Sequence, residues 1–210
     1  VGKPLPGVKI EIDNSVQGSK EEDGEIVAYG ENIMLGYHNL PEKTKETITP
    51  DGGLRTGDLG HLDSEGYLYI TGRVKEQYKL DIGEYVAPAP LEETLKLSAY
   101  IDQVMLYGFN RPNNVALIVA AMTAVEQYAK SNGISGSGES LLKESSIRDL
   151  YREELLVYGK DFKSFEHPQN FALLAEEWSI ENGLLTPTLK LKREVVEQKF
   201  KDKIESLYSV

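Results

Sequence analysis

Three short segments of the sequence place charged side chains among glycines, a pattern that ordinary packing does not require. The first is residues 52–60, in which Asp58 lies between Gly57 and Gly60. A carboxylate flanked by glycines can approach a ligand closely, and its two oxygens can accept hydrogen bonds from both hydroxyls of a ribose. The alternative interpretation is that Asp58 is an ordinary turn residue.

The second segment ends a predicted strand with a glycine, an arginine and a lysine. Arg73 follows Gly72, and Lys75 comes two residues later. Arg73 offers a planar guanidinium for a phosphate or a ribose, and a short stretch around Lys75 could act as a pivot between two domains. Solvated surface charges are the alternative interpretation of both side chains.

The third segment is a loop near the end of the sequence, residues 182–193, that contains Gly183 and Pro187. Lys190 and Lys192 could project an ammonium group from it toward a phosphoryl group, where it would offset developing negative charge. The alternative interpretation is that these lysines belong to the charged first turn of a helix. Positive charge at a helix N-terminus opposes the helix dipole, so this cluster is slightly costly unless another group uses it.

The elements that must position these segments divide the sequence into two parts. Short alternating strands at residues 8–12, 24–30 and 66–72 predict a small antiparallel, barrel-like β subdomain over residues 1–74. Residues 75–210 mix helical and strand patterns, which predicts an α+β domain. The fold class expected for the whole chain is therefore α+β.

The predicted α+β domain begins with a hairpin and ends with an amphipathic helix. Its predicted helices are residues 89–96, 123–132, 139–158 and 193–207, and its predicted strands are residues 77–80, 84–87, 103–109, 115–122 and 171–174. The glycine- and serine-rich residues 133–138 are interpreted as a flexible connector. In the first part, the acidic run Glu21, Glu22 and Asp23 is predicted to be a solvated hairpin loop.

Composition excludes several classes of function for this 210-residue chain. It contains no cysteine and only three scattered histidines, which excludes a thiolate nucleophile and a sulfur-ligated metal and leaves little for a histidine metal site. Its net charge of −11 disfavours a nucleic-acid surface, because binding there depends on phosphate neutralisation. We therefore expect no nucleic-acid partner and no metal ligand in this sequence.

The sequence also carries no sign of membrane insertion or secretion. No run approaches the roughly 18 apolar residues of a membrane span, and no basic region followed by an apolar run begins it. A cytoplasmic or peripheral membrane location is expected. The sequence starts with Val1 in the middle of a turn-and-strand pattern, which suggests a piece of a longer protein.

The order of the three charged segments resembles the adenylate-forming acyl-CoA synthetases. The matching phrases are Gly-x-Leu-Arg-Thr-Gly-Asp ending at Asp58, Gly-Arg-x-Lys-Glu at residues 72–76 and the loop at residues 183–193. Residues 2–8 and 83–88 are similar to that family as well, so the resemblance covers nearly the whole chain. The final loop and the long stretch of residues 133–181 resemble the long-chain fatty acid–CoA ligase branch.

The resemblance implies roles for individual residues. Asp58 would bind the ribose diol, Arg73 would support the ribose and phosphate, and Lys75 would be the hinge of a mobile lid. Lys192 would stabilise the adenylation transition state, with Lys190 as the fallback. Lid rotation would then bring the loop at Gly83 and Glu84 to the channel for the coenzyme A thiol.

The resemblance also implies substrates and missing parts. The substrates would be a fatty acid, ATP and coenzyme A, and ATP would be converted to AMP. The reaction would need Mg²⁺, but no residue of this sequence is assigned as a Mg²⁺ ligand. The phosphate-binding loop and the acyl tunnel have no counterpart here and are expected in an N-terminal remainder, so the chain alone is predicted to be inactive. The alternatives are a fragment of an acyl-AMP ligase that serves a carrier protein, or a non-catalytic interaction domain of the same fold.

Overall fold

Alternating apolar and polar residues separated by glycine-containing turns build an antiparallel sheet in the first part of the chain. A computed structural model describes residues 1–17, 19 and 23–209. Residues Val1–Gln77 form unit 1, and Tyr78–Val210 form unit 2. Unit 1 contains helix α1 (Pro41–Thr47) and strands β1 (Lys9–Asp13), β2 (Gly24–Tyr29), β3 (Leu54–Leu62) and β4 (Leu68–Arg73).

The four strands of unit 1 pair in chain order, each antiparallel to the next. This confirms the antiparallel character that the sequence predicts. Within the described residues the sheet is open, because β1 does not pair with β4, so the expected barrel is not closed. β3 itself was not predicted as a strand, since its glycines have low strand propensity. A 3₁₀ turn, Val74–Glu76, follows β4.

Unit 2 begins with a short hairpin and contains a three-stranded mixed sheet. Its strands are β5 (Tyr78–Lys79), β6 (Tyr85–Val86), β7 (Ile101–Tyr107), β8 (Asn114–Ala120) and β9 (Pro168–Leu174). Its helices are α2 (Pro88–Leu95), α3 (Met122–Ser131), α4 (Ser145–Gly159), α5 (Arg193–Lys199) and α6 (Lys201–Tyr208). β7 and β8 are antiparallel, whereas β8 and β9 are parallel and are therefore joined by the long crossover that contains α3 and α4.

The core of unit 2 lies on both faces of β8, all of whose residues are buried. Ala116 and Ile118 pack in one apolar cluster with residues of α2, α3 and α4, while Val115 and Leu117 pack in another with α5 and α6. Successive side chains of a strand point to opposite faces, so one continuous apolar run serves both clusters. The mixed α+β character expected for the chain is confirmed.

Several predicted elements differ in detail from the structure. The helix predicted over residues 193–207 is divided at Phe200, whose backbone (φ −108°, ψ 19°) leaves the helical region. Residues 139–158 begin as a 3₁₀ helix, Gly138–Lys143, before α4. In the acidic run predicted as a hairpin loop, Glu21 and Glu22 lie outside the described residues. The domain boundary at residue 74 stays a prediction.

Among the described residues, no helix combines the length and the apolar character that a membrane crossing needs.

Candidate functional site

Asp58 and Arg73 face each other across the β3–β4 ladder of unit 1. They are direct partners in the strand register, and Arg73 Nε lies 3.0 Å from Asp58 Oδ1. The Arg73 side chain is 56% exposed and that of Asp58 is 23% exposed, so the pair borders solvent. The structure thus brings together two of the residues that the sequence predicted for one site, and the arginine orients the carboxylate.

The backbone just before Asp58 is held by a buried carboxylate on β2. Glu25 is only 7% exposed, and its Oε1 accepts a hydrogen bond from the Gly57 N–H at 3.1 Å. Its Oε2 accepts one from Arg55 Nη1 at 2.6 Å, and the same Arg55 nitrogen lies 2.9 Å from Asp13 Oδ2. Gly57 has φ +75°, a conformation that a residue without a Cβ adopts readily.

Thr56 completes the support of this segment. Its hydroxyl donates to the Ile26 carbonyl at 2.8 Å and accepts from the Asp58 N–H at 3.1 Å. Sequence reasoning singled out Asp58 but missed Glu25. The available signal was an acidic residue beside the apolar Ile26 and Val27 in a predicted strand, where an unpaired charge would be costly.

Lys75 is exposed within the 3₁₀ turn that links the two units. Arg73, which precedes this turn, pairs with Asp58 in the ladder of β3 and β4. Tyr78, which follows it, donates a hydrogen bond from its hydroxyl to Oδ1 of the buried Asn114 at 2.7 Å. Desolvation raises the pKa of the Tyr78 hydroxyl, so this donor keeps its proton at neutral pH. Residues 74–77 are the last of unit 1 and directly precede Tyr78, the first residue of unit 2; we call this stretch the connector. The role of Lys75 as a hinge stays a prediction.

The lysine loop, residues 186–192, is fixed in unit 2 by a small set of backbone hydrogen bonds. The Thr186 N–H donates to the Lys190 carbonyl at 2.8 Å, and the Lys190 N–H donates to the Thr186 hydroxyl at 3.0 Å. The Lys192 N–H donates to the Leu184 carbonyl at 2.9 Å. Leu184 is buried in the apolar cluster beneath, so the loop has a rigid base.

Lys190 and Lys192 occupy different environments in this loop. Lys190 is exposed and directly follows the turn of residues 186–189, whereas Lys192 is half-buried and immediately precedes α5. Within the described part of the chain, neither ammonium group forms an ion pair within 4.0 Å. A half-buried ammonium interacts more strongly with a nearby anion than an exposed one does, because screening by water is weaker.

Gly83 and Glu84 form the exposed turn of the β5–β6 hairpin. Gly83 has φ +96°, and its N–H donates to the Leu80 carbonyl at 3.0 Å. The Leu80 N–H in turn donates to the Glu84 carbonyl at 2.8 Å. Of the predicted site residues, this turn and the lysine loop belong to unit 2, while Asp58 and Arg73 belong to unit 1.

No group of three histidine, aspartate or glutamate side chains in the described ranges is placed to hold a metal ion.

The chain is similar in sequence to named ligases over nearly all of its length. It is 38% identical to the mouse long-chain-fatty-acid–CoA ligase 5 over 90% of this chain and 28% of that protein. It is 34% identical to the human long-chain-fatty-acid–CoA ligase 1 over all of this chain and 31% of that protein. The chain thus spans less than a third of the length of these curated relatives. No protein-family profile matches it.

A solved structure with a similar fold is the adenylation domain of a carboxylic acid reductase from Segniliparus rugosus, in complex with AMP and a co-purified carboxylic acid. The TM-score is 0.75 at 25% sequence identity, and the match covers 99% of this chain and 32% of that structure.

Proposed function

We propose that this chain, which is homologous to the C-terminal part of the long-chain fatty acid–CoA ligases, supplies part of the nucleotide site and the mobile lid of such an enzyme. In the proposed reaction a fatty carboxylate attacks the α-phosphorus of ATP, which gives an acyl-adenylate and pyrophosphate. The thiol of coenzyme A then attacks the acyl carbon and displaces AMP.

The observation that carries this proposal is the fixed pair of Asp58 and Arg73. A carboxylate accepts about four hydrogen bonds, so contact with Arg73 leaves Asp58 the capacity to accept from both ribose hydroxyls. Arg73 uses Nε toward Asp58, and its guanidinium has four further N–H groups that can reach a phosphate or the ribose. The supports from Glu25 and Thr56 keep the carboxylate in place before the nucleotide arrives.

Lys192 is proposed to act on the phosphate side of the same nucleotide. Its ammonium group would stabilise the negative charge that develops on the α-phosphate oxygens during adenylation. We prefer it to Lys190 because it is half-buried and directly precedes a helix, whereas the Lys190 side chain is exposed. A group on a rigid base is better oriented for such a task.

The connector at residues 74–77 is proposed to be the hinge, with Lys75 in its 3₁₀ turn. A short segment between two fixed ends can absorb a rotation of one unit against the other. Rotation would withdraw Lys192 after adenylation and bring the Gly83–Glu84 turn to the channel for the coenzyme A thiol.

We further propose that these 210 residues alone do not make acyl-CoA. They correspond to less than a third of each curated relative, and the remaining substrate-binding surface and the Mg²⁺ ligands would be supplied by the remainder of the enzyme. Turnover of fatty acid, ATP and coenzyme A by the 210-residue chain would contradict this part of the proposal.

The proposal is tested in the complete enzyme by separating its two half-reactions. Lys192→Ala should lower fatty-acid-dependent exchange of pyrophosphate into ATP by about 10²–10³-fold, because it removes charge stabilisation from the transition state. Thioester formation from supplied acyl-adenylate should stay close to that of the unmodified enzyme. Lys190→Ala is the matched control and should leave both half-reactions within about threefold.

Adenylation that survives Lys192→Ala would contradict the assigned role. If Asp58→Ala were also without effect, the alternative of a non-catalytic domain with this fold would be favoured.

The identity of the thiol acceptor needs a separate test, because the similar solved structure is an adenylation domain of a carboxylic acid reductase rather than a CoA ligase. Offering the complete enzyme coenzyme A and a carrier protein that bears phosphopantetheine would separate the two acceptors. We propose coenzyme A, on the basis of the named ligases. Preference for the carrier protein would instead identify an acyl-AMP ligase.

A further inference from the structure

An ion pair in unit 2, between a buried glutamate and a partly exposed arginine, has no role in the function proposed above. Glu92 on α2 is only 6% exposed, and Arg193, the first residue of α5, binds it with two nitrogens. Arg193 Nη1 lies 2.9 Å from Glu92 Oε1, and Nη2 contacts Oε2. This two-point geometry fixes the orientation of the guanidinium as well as its position.

Glu92 also connects this pair to the sheet. Its Oε1 accepts a hydrogen bond from the backbone N–H of Leu106 at 2.7 Å. The carboxylate therefore joins α2 and the next strand, β7, to the start of α5, which lies about 100 residues later in the chain. Removing Arg193 would leave the buried Glu92 carboxylate without its charged partner, which is costly, so the pair favours one arrangement of these elements.

The position of this pair in the chain links it to the lysine loop. Arg193 directly follows Lys192, so a displacement of the Arg193 backbone must displace Lys192 as well. The pair also brings the Arg193 guanidinium against a carboxylate on α2, which reduces the cost of a cation at the N-terminus of α5. Glu92 thereby partly neutralises the basic cluster at the N-terminus of α5, which the sequence alone indicates to be unfavourable.

We infer that Glu92 and Arg193 are positioning residues for Lys192: their ion pair holds the lysine loop where its ammonium group can act during adenylation. The inference rests on the proposed function. A displacement of about 1 Å in a group that must meet a developing charge can cost about 10²-fold in rate. The pair should therefore affect the half-reaction that uses Lys192 and not the other.

The test uses the complete enzyme and three variants. Arg193→Met removes the pair on one side, and the double variant Glu92→Gln/Arg193→Met removes both charges while retaining an acceptor for the Leu106 N–H. The control is Arg111→Met, which breaks another ion pair of unit 2, between Arg111 and Glu205. Pyrophosphate exchange measures adenylation, thioester formation from supplied acyl-adenylate measures the second step, and thermal unfolding measures folding.

We expect both Arg193 variants to lose about 10–100-fold in adenylation kcat with the KM for ATP within about twofold, while thioester formation stays within about threefold. The double variant, which leaves no unpaired buried charge, should unfold within a few degrees of the unmodified enzyme. Arg111→Met should lower neither half-reaction by more than about threefold. This pattern supports a positioning role.

A folded double variant with normal adenylation would overturn the inference, as would an equal loss in both half-reactions. If Lys192→Ala lowers adenylation but the Arg193 variants do not, only the inference fails. If Lys192→Ala itself has no effect, the proposed function fails and the inference fails with it.

Discussion

In unit 1 the segment around Asp58 is held by ion pairs and hydrogen bonds on a sheet with little apolar core, whereas the lysine loop of unit 2 stands on a large one. Among the described residues, the buried apolar side chains of unit 1 are Ile26, Val27 and Leu59, and the others belong to unit 2. Leu184, at the base of the lysine loop, is 1% exposed.

This difference shows that two candidate site residues in one chain can depend on different physical forces. Apolar packing is non-directional and responds to lost volume, whereas a charge network responds to pH and to the loss of a single partner. Changes to the core should therefore act on unit 2, and changes to the charge network around Glu25 should act on unit 1.

The largest effect is expected from a cavity in the core of unit 2. Leu117→Ala removes a fully buried side chain and should destabilise unit 2 by about 2–5 kcal/mol. Trp178, the only tryptophan of the chain, is buried in the same cluster, so its fluorescence during urea unfolding of the 210-residue chain reports on unit 2. Leu156→Ala, at a leucine that is 66% exposed, should cost less than about 0.5 kcal/mol. If the two leucine variants lost a similar free energy of unfolding, the assigned dependence of unit 2 on its apolar core would be contradicted.

A smaller effect confined to unit 1 is expected from Glu25→Ala. The change leaves the Gly57 N–H and Arg55 without this acceptor, which should cost about 1–3 kcal/mol. Hydrogen exchange at the amides of β2 and β3 should accelerate, while the Trp178 transition stays in place. Glu11→Ala, which breaks an exposed pair with Lys9, is the control and should leave the stability of unit 1 nearly unchanged. A shift of the Trp178 transition by Glu25→Ala would show that the units do not respond separately.

The smallest effect is a pH dependence from Asp13. Hydrogen bonds from Ser15, together with the Arg55 guanidinium, hold the pKa of Asp13 below its ordinary value. Because the folded-state pKa is lowered, this stabilisation is present above the unfolded-state pKa of about 4 and is lost as the pH falls through the folded-state value. Asp13→Asn should therefore cost about 1 kcal/mol at pH 7 and progressively less toward pH 3, as measured by hydrogen exchange in unit 1. A constant difference over that range would contradict the assignment.

The sequence predicted much of the architecture, because strand alternation, helical periodicity and turn residues are local signals. It predicted β2, α2 and β8 close to their observed bounds. It missed β3, whose glycines weaken the strand pattern while the neighbouring strands complete the ladder. The division of the last helix at Phe200 was missed as well, since the apolar periodicity runs through that residue.

The supporting residues of the site could not be predicted in the same way. Asp58 and Lys192 stand in recognisable phrases, but Glu25 and Glu92 read locally as surface acids. Their importance depends on burial against Gly57 and Leu106, contacts that only the folded chain creates. A weak signal existed for each: Glu25 stands beside apolar residues in a predicted strand, and Glu92 shares a helix face with the buried Leu91 and Leu95.

The central proposal, that Asp58 recognises the ribose of the nucleotide on whose phosphate Lys192 acts, is tested most directly with a modified substrate. The complete enzyme would be assayed for adenylation with ATP and with 2′,3′-dideoxy-ATP, and the ratio of the two kcat/KM values compared among the unmodified enzyme, Asp58→Ala and Lys192→Ala. We predict that the unmodified enzyme prefers ATP by about 10²-fold or more. In Asp58→Ala this preference should fall to near unity, because the carboxylate no longer contacts the ribose hydroxyls. In Lys192→Ala the preference should persist, at a lower absolute rate. An unchanged preference in Asp58→Ala would contradict the account.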